Sequence, residues 1–109
     1  MSMNVSTWSA LSEPNRLHIV ELLRDGPLTV GEIAEQLALQ QPQVSKHLRV
    51  LHGAGLVEVQ PVANRRIYAL RAQPFIEMDQ WLNAYRQMWE ERFDRLEAYL
   101  KQLQRKDEP

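Results

Sequence analysis

Residues 28–70 read LTVGEIAEQLALQQPQVSKHLRVLHGAGLVEVQPVANRRIYAL. Thr29 stands three residues before Glu32, the spacing of a capping box, so a short helix is expected to start there. Ile33, Ala34 and Leu37 supply its apolar face. Ala38-Leu39-Gln40-Gln41 breaks the pattern, and Pro42 fits the first turn of a second helix. In that helix Val44, Leu48 and Leu51 recur at steps of four and three, which makes one inward stripe. Gln41, Gln43, Ser45, Lys46 and Arg49 fall largely outside it, and Gly53-Ala54-Gly55 ends the helix. Leu56–Val59 and Ile67–Leu70 are short and rich in strand formers. Pro61 and Asn64 punctuate the segment between them, which reads as a hairpin turn with Arg65 and Arg66 at a basic tip.

Two short helices joined by a tight turn and followed by a basic hairpin describe a winged helix-turn-helix. On the N-terminal side, Val5, Trp8 and Leu11 recur every third residue and suggest a short helix. Ser12-Glu13-Pro14 reads as the start of another, with Ser12 or Glu13 near the cap. Leu17, Ile19, Val20, Leu22 and Leu23 predict that this helix is largely buried, and Asp25-Gly26-Pro27 stops it. On the C-terminal side, Phe75, Met78, Leu82, Tyr85, Trp89, Phe93, Leu96, Leu100 and Leu103 follow steps of three and four with one stutter, the pattern of a long helix with a near-heptad stripe. Thirty helical residues span roughly 45 Å. The rest of the chain is too small to cover that length, so part of the stripe is expected to meet a second copy. Trp8, Leu82, Tyr85, Trp89, Phe93, Leu96 and Leu100 are the residues expected at that dimer interface.

The expected fold is therefore mainly α, with about five helices, a two-stranded wing and a long C-terminal dimerisation helix. We expect one domain over residues 1–109, divided into N-terminal helices (1–27), helix-turn-helix (28–53), β-hairpin wing (54–72) and dimerisation helix (73–105). A length of 109 residues suits one modest core. Hydrophobic residues at 44% and charged residues at 25% argue against disorder. There are no cysteines, which excludes disulfides, thiolate metal ligands and cysteine nucleophiles. No apolar run approaches the length of a membrane span, and the N-terminal sequence lacks the basic-then-apolar order of a secretory signal. A cytoplasmic, nucleoid-associated location and no membrane partner are expected.

The formal net charge of −1 gives no hint of a nucleic-acid partner, but its distribution does. Residues 43–74 hold Lys46, Arg49, Arg65, Arg66 and Arg71 against Glu58 alone, a net of +4. Residues 1–42 carry −3 and residues 75–109 carry −2. The cations thus lie on the second helix of the pair, on the hairpin and just after it.

The segments VSKHLRVLHGAGLV and RRIYAL, with ALSEPNRLHIVELL at residues 10–23, resemble the ArsR/SmtB family of bacterial repressors. The C-terminal PFIEMDQWLNAYRQMWEERFDRLEAYL is similar to a cysteine-free subgroup without the usual metal-binding motifs. The resemblance implies a homodimer bound to double-stranded DNA at a palindromic, inverted-repeat operator. It puts the groove-reading positions on Gln41, Gln43, Ser45 and Lys46. The residue types fit: Gln pairs in bidentate fashion with adenine, and Lys donates to guanine or phosphate. Arg49, one turn on, is better placed for phosphate. Arg65 and Arg66 on the wing suit a minor groove or the flanking backbone. The family usually has Gly where this chain has Ala38, and a left-handed Ala there costs on the order of 1 kcal/mol.

Metal-sensing members use cysteines in the third helix, where this chain has Thr29 and Gly31, or carboxylate and histidine pairs in the last helix, which here has no histidine. His18, His47 and His52 match no ligand spacing, so no metal and no cofactor are expected. Ser45 and His47 are two apart on a helix and face different directions, and no phosphate-binding or nucleophile motif is present, so an enzyme is not expected. Two other readings stand beside the DNA-binding repressor. One is a winged-helix module that binds protein. The other is a regulator responding to a small organic effector at the seam of Trp81, Tyr85, Met88 and Trp89.

Overall fold

The structure, a computed structural model, describes residues 5–107. Residues 1–4 and 108–109, which the sequence reading includes in the expected domain, lie outside the described residues. Five helices and three strands run in the order α1 (Val5–Leu11), α2 (Pro14–Leu23), β1 (Leu28–Thr29), α3 (Val30–Leu37), α4 (Gln41–Gly53), β2 (Val57–Val62), β3 (Arg65–Leu70) and α5 (Ala72–Asp107). The fold is mainly α with a small antiparallel sheet in the order β1-β3-β2.

The starts of the helices follow from local chemistry. Glu13 caps α2, its carboxylate accepting the Arg16 N–H at 2.9 Å, with Pro14 in the first turn. The Arg16 Nε–H donates to the Ala10 carbonyl at 2.7 Å and so ties α1 to α2. Thr29 and Glu32 form the capping box: the Thr29 hydroxyl accepts the Glu32 N–H at 3.2 Å, and the Glu32 carboxylate accepts the Thr29 N–H at 3.0 Å.

Both helices of the helix-turn-helix end in the same way. In each, an N–H reaches back five residues to a helical carbonyl, Leu39 to Ala34 and Leu56 to Leu51, both at 3.0 Å. The residue before each donor is left-handed, Ala38 at φ 55° and Gly55 at φ 77°. This is the Schellman arrangement, in which Gly carries no Cβ penalty. Gly55 meets that preference and Ala38 does not.

The core lies where α2, α3, α4 and the base of the hairpin meet. Val44, Leu48 and Leu51 of α4 are wholly buried, as are Ile33 of α3, Ile19 of α2, and Leu56. Each such side chain contributes roughly 1.5–3 kcal/mol over exposure. Leu17 departs from the sequence reading. It is 39% exposed, because Ile19, Val20 and Leu23 turn the other side of α2 inward.

In the hairpin, Val57 pairs with Leu70 and Val62 with Arg65, leaving Ala63 and Asn64 as a two-residue turn. Ala63 is left-handed there, at φ 56°. The turn therefore contains Asn64, as the sequence predicts, but not Pro61, which lies inside β2 opposite Arg66. A two-residue turn closes on a hydrogen-bonded pair, and the next pair along is not hydrogen-bonded. Pro61 occupies that second position on an edge strand, so its missing N–H costs the ladder nothing. Leu28 and Thr29 add a third strand against Tyr68 and Ile67. A two-residue strand shows no periodicity, so the sequence pattern does not reveal it.

The α5 helix is 36 residues long. Phe75 and Met78 near its start pack on the core. Beyond them it runs past the body, and the molecule measures 77 × 31 × 22 Å. No helix among the described residues is long and apolar enough to cross a membrane.

The left-handed Ala38 gives a direct stability test. Ala38→Gly removes a Cβ penalty of about 1–2 kcal/mol and adds chain entropy worth about half of it. A net gain of roughly 0.5–1 kcal/mol is expected in urea unfolding, and a loss contradicts the strain assigned here.

Candidate nucleic-acid interface

Because Val44, Leu48 and Leu51 point inward, the opposite side of α4 faces solvent. Gln41, Gln43, Ser45, Lys46 and Arg49 are all exposed on it. Their side chains are not equally disposed. The Gln43 carbonyl oxygen accepts the Gln40 N–H at 3.4 Å, which holds it against the start of its own helix. The Gln41 amide nitrogen lies beside α3, 3.6 Å from where a Cβ on Gly31 would stand. Base pairing by Gln43 requires its side chain to swing away from the Gln40 N–H. Lys46 stands further along the exposed side of α4.

Arg65 and Arg66 are exposed at the start of β3, next to the turn. Adjacent strand residues point to opposite faces, so the two arginines do not act as a pair. Arg66 faces α4. There it shares a groove of about 410 Å³ with Ser45, Arg49 and His52, with Tyr68 and Val59 also lining it. Arg65 is close enough to α3 to act on Glu32. The Glu32 carboxyl is held below the usual carboxylate range first by the Thr29 N–H, then by the Thr29 hydroxyl; desolvation opposes this, and the Arg65 charge adds the least.

The structure thus brings Ser45, Arg49 and Arg66 together and sets Arg65 apart. It also adds His52 and Tyr68 to the groove, which the sequence reading did not include. His52 was legible: Ser45, Arg49 and His52 follow steps of four and three on one helix face. Tyr68 carried no such signal, because which face of β3 meets α4 depends on the packing of the hairpin.

Of the other histidines, His47 Nδ1 lies 3.6 Å from the Glu13 carboxylate and His18 is exposed on α2. The Glu13 carboxylate therefore caps α2 and also contacts α4. Among the described residues, no three His, Asp or Glu side chains gather into a group able to hold a metal ion.

The residues expected at a dimer interface lie on α5, except Trp8. Trp8 meets Trp81 edge-on, with ring centroids 5.4 Å apart at 61°, and Trp81 contacts Tyr85 at 4.7 Å. The rings thus join α1 to α5. Leu82, Tyr85, Trp89, Phe93, Leu96 and Leu100 are all exposed in the single chain, Phe93 at 63%.

The family model described as "Bacterial regulatory protein, arsR family" matches residues 13–59, from the α2 cap into β2. The HTH-type transcriptional regulator Rv2034 of Mycobacterium tuberculosis is 49% identical over 63 residues, 58% of this chain and 59% of that protein. The crystal structure of the transcriptional repressor BigR from Xylella fastidiosa is similar with a TM-score of 0.60 and 32% identity, covering 77% of this chain and 83% of that one. The reduced form of HlyU from Vibrio cholerae N16961 is similar with a TM-score of 0.63 and 32% identity, covering 74% of this chain and 85% of that one. The match spans only 59% of Rv2034, and 54% of the regulator NmtR from the same organism. The chain belongs to the ArsR family of bacterial regulatory proteins, and its fold is a winged helix-turn-helix.

The capping box carries a pH signature. A carboxyl with a lowered folded-state pKa contributes stability above the ordinary carboxylate range and loses it as pH falls through the lowered value. Glu32→Gln keeps an acceptor for the Thr29 N–H but does not titrate. We expect its unfolding midpoint to fall less steeply than that of the wild type between about pH 5 and pH 3. Equal slopes contradict the role given to Glu32.

Proposed function

We propose that this chain is a homodimeric repressor that binds an inverted-repeat operator in double-stranded DNA and blocks transcription by occupying it. The observation that carries the DNA-binding part is the meeting of Ser45 and Arg49 from α4 with Arg66 from the wing along one groove, on a chain whose other segments are net acidic. Gln41, Gln43, Ser45 and Lys46 near the start of α4 are the proposed base-reading set, because a recognition helix presents its first turns to the major groove. Arg49, Arg65 and Arg66 are the proposed backbone contacts, which position the protein without reading sequence.

The dimer part rests on α5. Its apolar stripe continues from Leu82 to Leu103 with the side chains exposed. Folded monomers rarely leave so large a contiguous apolar surface open. A second copy covers it by two-fold symmetry, and that symmetry calls for an inverted repeat in the operator. Repression is the sign of regulation that occlusion produces. BigR is named a repressor and HlyU an activator, so the family admits both.

Gel shift against the DNA upstream of the chain's own gene tests the reading. Binding is expected to weaken steeply with salt and to require an inverted repeat. Lys46→Ala and Gln43→Ala should each cost about 1–3 kcal/mol on the specific site. Arg65→Ala with Arg66→Ala should lower affinity for all duplexes alike and flatten the salt dependence. No measurable affinity for random duplex at low salt rejects DNA binding and favours a protein-binding module. Phe93→Glu with Leu96→Glu should convert the dimer to monomer in sedimentation velocity. A dimer that survives these changes places the interface elsewhere.

A further inference from the structure

The groove between α4 and the wing holds a histidine that the reading above does not use. Ser45, Arg49 and His52 present one face of α4 to it, and Arg66 and Tyr68 line it from β3. The remaining elements packed against it, α3 and β2, contribute Val30 and Val59, which carry no charge. Two guanidinium groups, an imidazole, a serine hydroxyl and a tyrosine thus border one concavity, and among the described residues lining it there is no carboxylate. A site with this donor set suits an anion with several acceptor oxygens.

We propose that this groove seats one backbone phosphate of the bound duplex, and that His52 takes up a proton as the phosphate enters. The inference rests on the DNA-binding reading. Arg49 and Arg66 approach from two separate elements, so a phosphate between them also fixes the hairpin relative to α4. His52 lies one helical turn beyond Arg49 on the same face. A neutral imidazole offers one N–H, whereas the protonated ring offers two and a positive charge. A neighbouring phosphate favours the charged form. Histidine changes charge within the range of about pH 5 to 8, so affinity should rise as pH falls through that range. His18, exposed on α2, and His47, which meets Glu13 at 3.6 Å, do not line this groove.

The test is fluorescence anisotropy with a labelled random-sequence duplex at low salt, at about pH 6, 7 and 8. Wild-type affinity should be about fivefold higher per groove at the acid end of this range than at the alkaline end. His52→Gln should lose that gain, while His18→Gln should keep it. His52→Arg should bind without a pH-dependent gain and with a salt slope steeper than that of His52→Gln by about one ion per groove. If wild-type affinity does not rise toward acid pH, or if His52→Gln keeps the full rise, the inference is overturned and DNA binding stands. If the wild type binds no duplex at any of these pH values, the regulator reading fails and the inference fails with it.

Discussion

The rotational setting of α4 about its own axis is fixed by three side chains. Val44, Leu48 and Leu51 are wholly buried against α2, α3 and the base of the hairpin, and together they contribute roughly 5–9 kcal/mol over exposure. Turning the helix by a third of a turn would expose them and push Arg49 or Lys46 inward without a partner, at a cost of several kcal/mol each. The outward face is therefore as strongly determined as the core. Ser45 and Arg49 reach the groove because Val44 and Leu48, their neighbours in sequence, cannot leave the interior. Glu13 reinforces this setting from α2, where its carboxylate both caps its own helix and meets His47 on α4.

Charge and apolar surface are divided among different parts of the chain. The net charge of −1 conceals a segment of +4 between flanks of −3 and −2. The positive segment includes α4 and the hairpin, and the acidic flanks belong to the scaffold and to α5. The apolar surplus is on α5, whose stripe runs beyond the reach of the core. One chain thus separates a basic face from an apolar one, so the proposed dimer contact and the proposed DNA contact draw on different residues.

Much of this was legible in the sequence, for identifiable reasons. The α4 stripe, the Thr29–Glu32 capping box and the long α5 pattern are local and periodic, and the structure shows each where the spacing put it. Ala38 stands where the resemblance implies Gly, and it is left-handed there. What escaped was non-local. The β1 strand has only two residues and exists because β3 offers an edge. The register narrows the hairpin turn to Ala63-Asn64, so Asn64 marks it as the sequence suggests while Pro61 belongs to β2. The separation of Arg65 from Arg66 follows from strand alternation, which a run of two arginines conceals. Tyr68 reaches the groove only because the hairpin packs as it does, and the Gln43 side chain folds back on the Gln40 N–H.

If α4 and the wing read duplex DNA in a two-fold arrangement, genome-wide mapping of bound sites, followed by footprinting of the strongest, should return a small set of sites sharing an inverted repeat. The two half-sites should be protected on one face of the duplex about one helical turn apart. Bound sites with no shared sequence, or a single unrepeated half-site protected by one copy of the chain, would contradict that arrangement.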